Sequence, residues 1–141
     1  MSKHQLTGMR GVYLVAAELA ARGLIASPTS RSAAGADLLV TDLNCENAFS
    51  VQVKTNAKPA SFWLTGPKAQ SISSLSHVYV FVNIQPRTER HEFFVVPSEF
   101  VAQHIRFDEL PKSKWYSFRK KDAEKFRSNW TLLGAAAEDA T

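Results

Sequence analysis

Two short stretches decide how this chain folds: Gly35-Ala36-Asp37-Leu38-Leu39-Val40 and, after a polar turn, Ser50-Val51-Gln52-Val53-Lys54. Each has the length and the β-branched or leucine-rich filling of a strand. Side chains alternate across a strand, so Val51 and Val53 share one face while Gln52 and Lys54 share the other. The intervening Asp42-Leu43-Asn44-Cys45-Glu46-Asn47 is rich in turn formers, which predicts a hairpin. Asp37 then opens the first strand with its carboxylate beside Gln52 and Lys54. An acid, an amide and an ammonium converge in this arrangement, and it offers a seat for a divalent cation.

Upstream, residues 8–23 carry Val12, Val15, Ala16, Leu19 and Ala20 at the three- and four-residue spacing of a buried helix face. Thr7 suits the start of that helix and Gly23 its end. Glu18 lies about 60° round the helix from Val15. It either points along the sheet toward Asp37 or pairs with Arg22 four residues on. Residues 24–28 read as a short strand, and 29–35 as a polar loop that delivers the chain to Asp37. Ser30 and Arg31 in this loop are near enough in sequence to contact a phosphate beside the acid, or else to cap the loop.

Downstream, 48–55 returns as a strand, 56–66 is a loop with an extended piece at 61–64, and 67–75 is predicted helical with Pro67 in its first turn. Residues 77–84 are apolar on both faces, as in a central strand. A turn at 86–90 leads to a partner strand at 92–96, and Pro97-Ser98-Glu99 opens a helix reaching Ile105. Near the end, Trp115-Tyr116-Ser117-Phe118 precedes the basic run 119–127. Lys120 and Lys121, interleaved with aromatics, are suited to a phosphate backbone; alternatively the run is an amphipathic helix docked through Phe126 and Trp130. Residues 1–133 fit one domain, and 134–141 are expected to be a disordered tail.

Composition narrows the classes of function. The chain has 141 residues, is 45% hydrophobic and 21% charged, and carries a formal net charge of +4, which favours an anionic partner. Cys45 is the single cysteine, so no intramolecular disulfide forms and a cytoplasmic location is the expectation. The four histidines lack zinc spacing with Cys45. No apolar run approaches the ~20 residues that span a bilayer, so no membrane association is expected. Neither a glycine-rich phosphate loop nor a nucleophile elbow is present.

The succession of a helix with Glu18, a strand, a strand opened by Asp37, a strand with Gln52-Val53-Lys54, a helix and a strand resembles the PD-(D/E)XK nuclease superfamily. Residues 11–18, 31–37 and 52–54 are most similar to Mrr-like restriction enzymes and archaeal Holliday-junction resolvases, and the resemblance spans about residues 8–84. It implies a restriction-endonuclease-like, three-layer α/β domain: a central mixed sheet flanked by helices, with an αβββαβ core. It also implies that Asp37 and Gln52 bind magnesium or manganese, that Lys54 positions or activates the attacking water, and that Glu18 completes the metal site. Two positions depart from the usual pattern. Ala36 stands where proline precedes the acid, and Gln52 replaces glutamate, as in Mrr-like members.

The residue chemistry suits this reading. Phosphodiester hydrolysis needs a cation that neutralises developing charge and acidifies water, and Asp37, the Gln52 side-chain oxygen and the Val53 carbonyl are hard oxygen donors. The function expected is thus a metal-dependent DNA endonuclease acting through Glu18, Asp37, Gln52 and Lys54. The alternative is a catalytically silent form of the fold that binds nucleic acid or a protein. With no separate DNA-recognition segment, cleavage is expected to depend on substrate structure, on a protein partner or on a homodimer.

Overall fold

The computed structural model describes residues 2–30 and 36–136. Its first helix, α1 (Lys3–Ala21), begins five residues earlier than its apolar period suggests. Ser2 Oγ accepts from the Gln5 backbone N–H while Gln5 Oε1 accepts from the Ser2 N–H, and this reciprocal pair closes the first turn. At the other end Gly23 takes φ +82°, a conformation that favours glycine.

Three antiparallel strands follow: β1 (Ile25–Pro28), β2 (Leu38–Thr41) and β3 (Ala48–Asn56). The expected hairpin is present, with Leu38 opposite Val51 and Thr41 opposite Ala48. Asp42 organises its turn by accepting from the Glu46 N–H (2.8 Å) and the Asn47 amide (3.0 Å). The chain then makes β4 (Phe62–Thr65) and returns as β5 (His77–Asn83), parallel to β3 with Gln52 opposite Tyr79. An antiparallel β6 (Glu92–Pro97) completes a five-stranded mixed sheet in the order β1-β2-β3-β5-β6. Every residue of β5 is buried, as its apolar run predicts.

Each face of this sheet is covered, which gives three layers. On one face Val15 and Leu19 of α1 pack on Val51, Val53, Val78, Val80 and Val82. Gly11 makes the close approach possible, because a Cβ there would fall 1.7 Å from Thr55 Oγ1. On the other face Tyr79, Phe81, Phe94 and Val96 meet Val101 of α2 (Ser98–His104), Trp63 of β4 and Phe118 of β8 (Ser113–Arg119). Trp63 is fixed by its indole N–H donating to the Val82 carbonyl at 2.9 Å. Side chains of this size gain about 1.5–3 kcal/mol each on burial, so the two clusters supply most of the fold's driving force.

Three segments differ from the sequence-based expectation. The helix predicted over 67–75 is a single 3-10 turn, Pro67–Gln70. Serines compete for backbone groups here: Ser71 Oγ donates to the Lys68 carbonyl, and Ser98 Oγ accepts from the Ser74 N–H. Residues 106–114, to which no element was assigned, form β7 (Arg106–Leu110) and the start of β8, and with β4 they make a second sheet in the order β4-β8-β7. The basic run is helical only over α3 (Lys120–Ala123) and a 3-10 turn (Glu124–Phe126). It ends because Ser128 N–H donates to the Phe93 carbonyl and draws the chain back onto β6. Trp130 and Leu133 then enter the core, and Ala135 is buried beside them. Residues 137–141 lie outside the described residues. Among those described, no helix is long and apolar enough to cross a membrane.

Candidate functional site

The site arises where two strands part. β2 pairs with β3 only as far as Val51, whereas β5 accompanies β3 to Asn56. Beyond Val51 the β2-side edge of β3 is therefore open, and an unpaired edge N–H needs another acceptor. Asp37 supplies it. Its own N–H donates to the Val51 carbonyl (2.7 Å), and its Oδ2 accepts from the Val53 N–H at 2.8 Å and from Gln52 Nε2 at 3.0 Å. The residue is held from the other side as well: the Thr29 N–H donates to the Asp37 carbonyl (2.9 Å) and Thr29 Oγ1 to the Ala36 carbonyl (2.7 Å).

A cavity of about 430 Å³ opens here between the N-terminal half of α1 and the sheet edge. Asp37, Gln52, Val53, Ser30, Thr29 and Val12 contribute to its wall. Asp37 is half-buried, and among the described residues it makes no ion pair. Its second oxygen, Oδ1, likewise accepts no hydrogen bond from a described residue. A half-buried carboxylate without a cationic partner among the described residues favours a bound cation. N–H and C=O of one residue leave a strand on the same side, so the Val53 carbonyl faces the same open edge as its N–H.

This donor set fits magnesium or manganese in one specific sense. The two metals take hard oxygen ligands, and magnesium is commonly held by one or two carboxylates together with water and substrate phosphate. Asp37 Oδ1, the Gln52 amide oxygen and the Val53 carbonyl provide one carboxylate and two neutral oxygens. A site made of protein carboxylates alone is absent: among the described residues no three His, Cys, Asp or Glu side chains converge to hold a metal.

The remaining site expectations separate. Lys54 stands two residues beyond Gln52, on the same side of β3, and makes no hydrogen bond or ion pair with a described residue. It does not line the cavity. Glu18 does not line it either; its carboxylate is engaged by Arg22, the i,i+4 pair that was the other reading of this residue. The α1 residues that line it with Asp37 and Gln52 are Gln5, Gly8, Met9, Val12 and Tyr13; Val12 lies six positions and about 9 Å before Glu18 along the axis. Ser30 is in the cavity wall, and Arg31 lies outside the described residues. Lys120 is paired with Glu92 (3.3 Å) and Glu124 (3.8 Å), while Lys121 is exposed. Both belong to a different groove, beside β8.

Thr29 was missed by sequence reasoning, because it looks like any loop threonine after Pro28. The helix contribution to the cavity was misplaced by two turns. The capping pattern Ser2-Lys3-His4-Gln5 does carry a signal for the true start of α1, and with it the identity of the turn that overhangs the site.

Comparison with known proteins bears on the fold. The bacterial homing endonuclease I-Ssp6803I is similar in structure, with a TM-score of 0.60 at 16% identity over 94% of this chain and 93% of that one. A Holliday junction resolvase of the archaeon Archaeoglobus fulgidus gives a TM-score of 0.57 at 12% identity over 93% of this chain and 98% of that one. No protein-family model and no curated protein sequence matches the chain. The likeness extends over nearly all of both structures, and the fold is the restriction-endonuclease-like one: a mixed sheet flanked by helices.

Proposed function

We propose, from the restriction-endonuclease-like fold as premise, that this chain is a metal-dependent endonuclease that hydrolyses phosphodiester bonds of DNA. The observation that carries the reading is the half-buried carboxylate of Asp37, which makes no ion pair among the described residues, at the parting of β2 and β3 with Gln52 and Lys54 on the same strand. Asp37 Oδ1, the Gln52 amide oxygen and the Val53 carbonyl would hold magnesium or manganese. Such an ion supplies charge neutralisation at the phosphate and a more acidic water.

The protein groups divide the remaining work. The Val53 N–H and Gln52 Nε2 pin Asp37 Oδ2, which fixes the direction in which Oδ1 points. Thr29 holds the Asp37 backbone from the opposite side and positions it. Lys54, with no acidic partner among the described residues, stabilises negative charge that develops on a phosphate lying along the open edge of β3. Ser30 borders the same space and would contact the neighbouring phosphate.

A second reading has its own observation. The α1 residues over the cavity, Gln5, Gly8, Met9, Val12 and Tyr13, include no acid, and Glu18 is engaged with Arg22, so among the described residues the site holds a single carboxylate. A silent nucleic-acid-binding or protein-interaction form of the fold accounts for that poverty. Incubation of supercoiled plasmid and of branched DNA with magnesium or manganese separates the two. Cleavage by the wild-type chain that disappears in Asp37→Ala supports the enzyme. If both chains leave every substrate intact but retain salt-sensitive DNA binding, the silent form is correct.

A further inference from the structure

The small β4-β8-β7 sheet turns Trp63 and Phe118 into the core and leaves its other face uncovered among the described residues. Phe62, Leu64, Leu110 and Trp115 stand on that face, 42%, 50%, 50% and 43% exposed. Residues directly opposite one another in an antiparallel pair share a face. The register of Phe62 with Arg119, and of Ser117 with both Leu64 and Arg106, therefore brings the two arginines alongside the aromatics. Lys121 closes one end of the resulting groove, about 660 Å³ in volume.

Charge decides what fits this groove. Four cations and two acids line it. Arg119 is paired with Asp122, and Lys120 with Glu92 and Glu124, but Arg106 and Lys121 form no ion pair with any described residue. An apolar partner would bury Arg106 and Lys121 without compensation, and a second copy of this face would set four cations and only two acids against the same set. Flat aromatic side chains rimmed by uncompensated cations match a nucleic-acid strand whose bases are unpaired: bases stack and phosphates meet the cations. Phe62 and Trp115 are roughly 14 Å apart by strand geometry, room for separate bases on each. The Trp115 indole is held by its N–H to Ser113 Oγ (2.8 Å), which fixes one platform in advance. Asp108, opposite Trp115, is an acceptor suited to the amino group of a stacked base.

We propose that this face binds an unpaired DNA strand through stacking on Phe62 and Trp115, with Arg106 and Lys121 on its phosphates. The choice of DNA rests on the nuclease reading; the binding itself requires neither Asp37 nor a metal. Trp63 and Trp130 are only 1% and 3% exposed, so quenching of tryptophan emission reports on Trp115.

The test titrates the full chain with a thymidine oligonucleotide of about 12 nucleotides, without metal. Saturable quenching is expected. Trp115→Ala and Phe62→Ala, followed by anisotropy of a labelled oligonucleotide, should each weaken binding about 5- to 150-fold. Arg106→Gln combined with Lys121→Gln should flatten the log–log salt slope by about 1.4. Circular dichroism confirms that these surface variants stay folded. Four results would overturn the proposal: no quenching at low salt, equal affinity of wild type and the aromatic variants, tighter binding of the matching RNA, or self-association that Trp115→Ala abolishes. Lost cleavage with intact strand binding overturns the nuclease reading instead.

Discussion

At the level of single residues, Asp37 and Gln52 define the account. Oδ2 of Asp37 is satisfied by two N–H donors, so replacing the acid leaves both the Val53 N–H and the Gln52 amide short of an acceptor. Asp37→Ala is expected to abolish cleavage and to cost about 1–3 kcal/mol of stability, read by denaturant unfolding. Lys54→Ala should leave stability almost unchanged, since its ammonium bonds to no described residue, and should lower the cleavage rate about 10²- to 10³-fold. A rate within a few-fold of wild type would remove Lys54 from the chemistry. Gln52→Glu places two carboxylates where a 3.0 Å hydrogen bond now lies, so the variant should melt below wild type without metal and gain more on adding manganese. Equal manganese-induced shifts would mean that the ion does not sit at this pair. The approach of Asp37 to Gln52 was legible in the sequence because a recognisable turn sets the hairpin that joins them, whereas Lys54 stands outside the cavity. Thr29 was not legible, because its role depends on a loop backbone that no local pattern specifies.

At the level of elements, the phase of α1 matters most. Periodicity identifies its buried stripe, and Val15 and Leu19 are buried as it requires. It does not tell which turn of the helix overhangs the sheet edge. That follows from Gly11 touching Thr55, a contact set by tertiary packing. Gly11→Ala has no room for its methyl group without moving Thr55 or the helix, and should destabilise by about 1–3 kcal/mol. An unchanged melting temperature would refute the close approach. Val12→Glu adds a second carboxylate over the cavity, and calorimetry should show tighter manganese binding than wild type. Glu18→Gln breaks only a partly exposed pair with Arg22 and should change metal affinity little. The β7-β8 hairpin was invisible for a different reason: β7 is exposed at every position, so it shows no apolar alternation.

At the level of the whole molecule, the C-terminal segment is bolted to the large sheet through Glu92. Burial raises the pKa of this carboxyl, but hydrogen bonds from Arg127 and Lys120 outweigh burial and leave it below the ordinary value. A lowered folded-state pKa adds stability above the ordinary carboxylate range, and that stability disappears as pH falls through the folded value. The melting temperature should therefore fall on acidification from neutral pH to about 3, and Glu92→Gln should be less stable at neutral pH and lose less on acidification. Parallel pH profiles would contradict this. The mixed sheet, its hairpin and the buried β5 were readable from sequence, since each rests on local pattern. Docking through Phe126 and Trp130 was one of the two readings of the basic run, and both side chains pack on the domain. The second sheet and the burial of Leu133 and Ala135 were not legible, since they depend on distant partners on β4 and β6. The short pairing of β2 leaves the edge of β3 open beyond Val51, and the central claim is that a metal ion belongs at that edge. Crystals of the chain soaked in manganese and measured for anomalous scattering test it most directly. The account predicts a peak about 2.1 Å from Asp37 Oδ1, bordered by Gln52 and the Val53 carbonyl and missing in Asp37→Ala. Clear density for the Asp37 cavity with no anomalous peak, or with manganese bound only elsewhere, would contradict it.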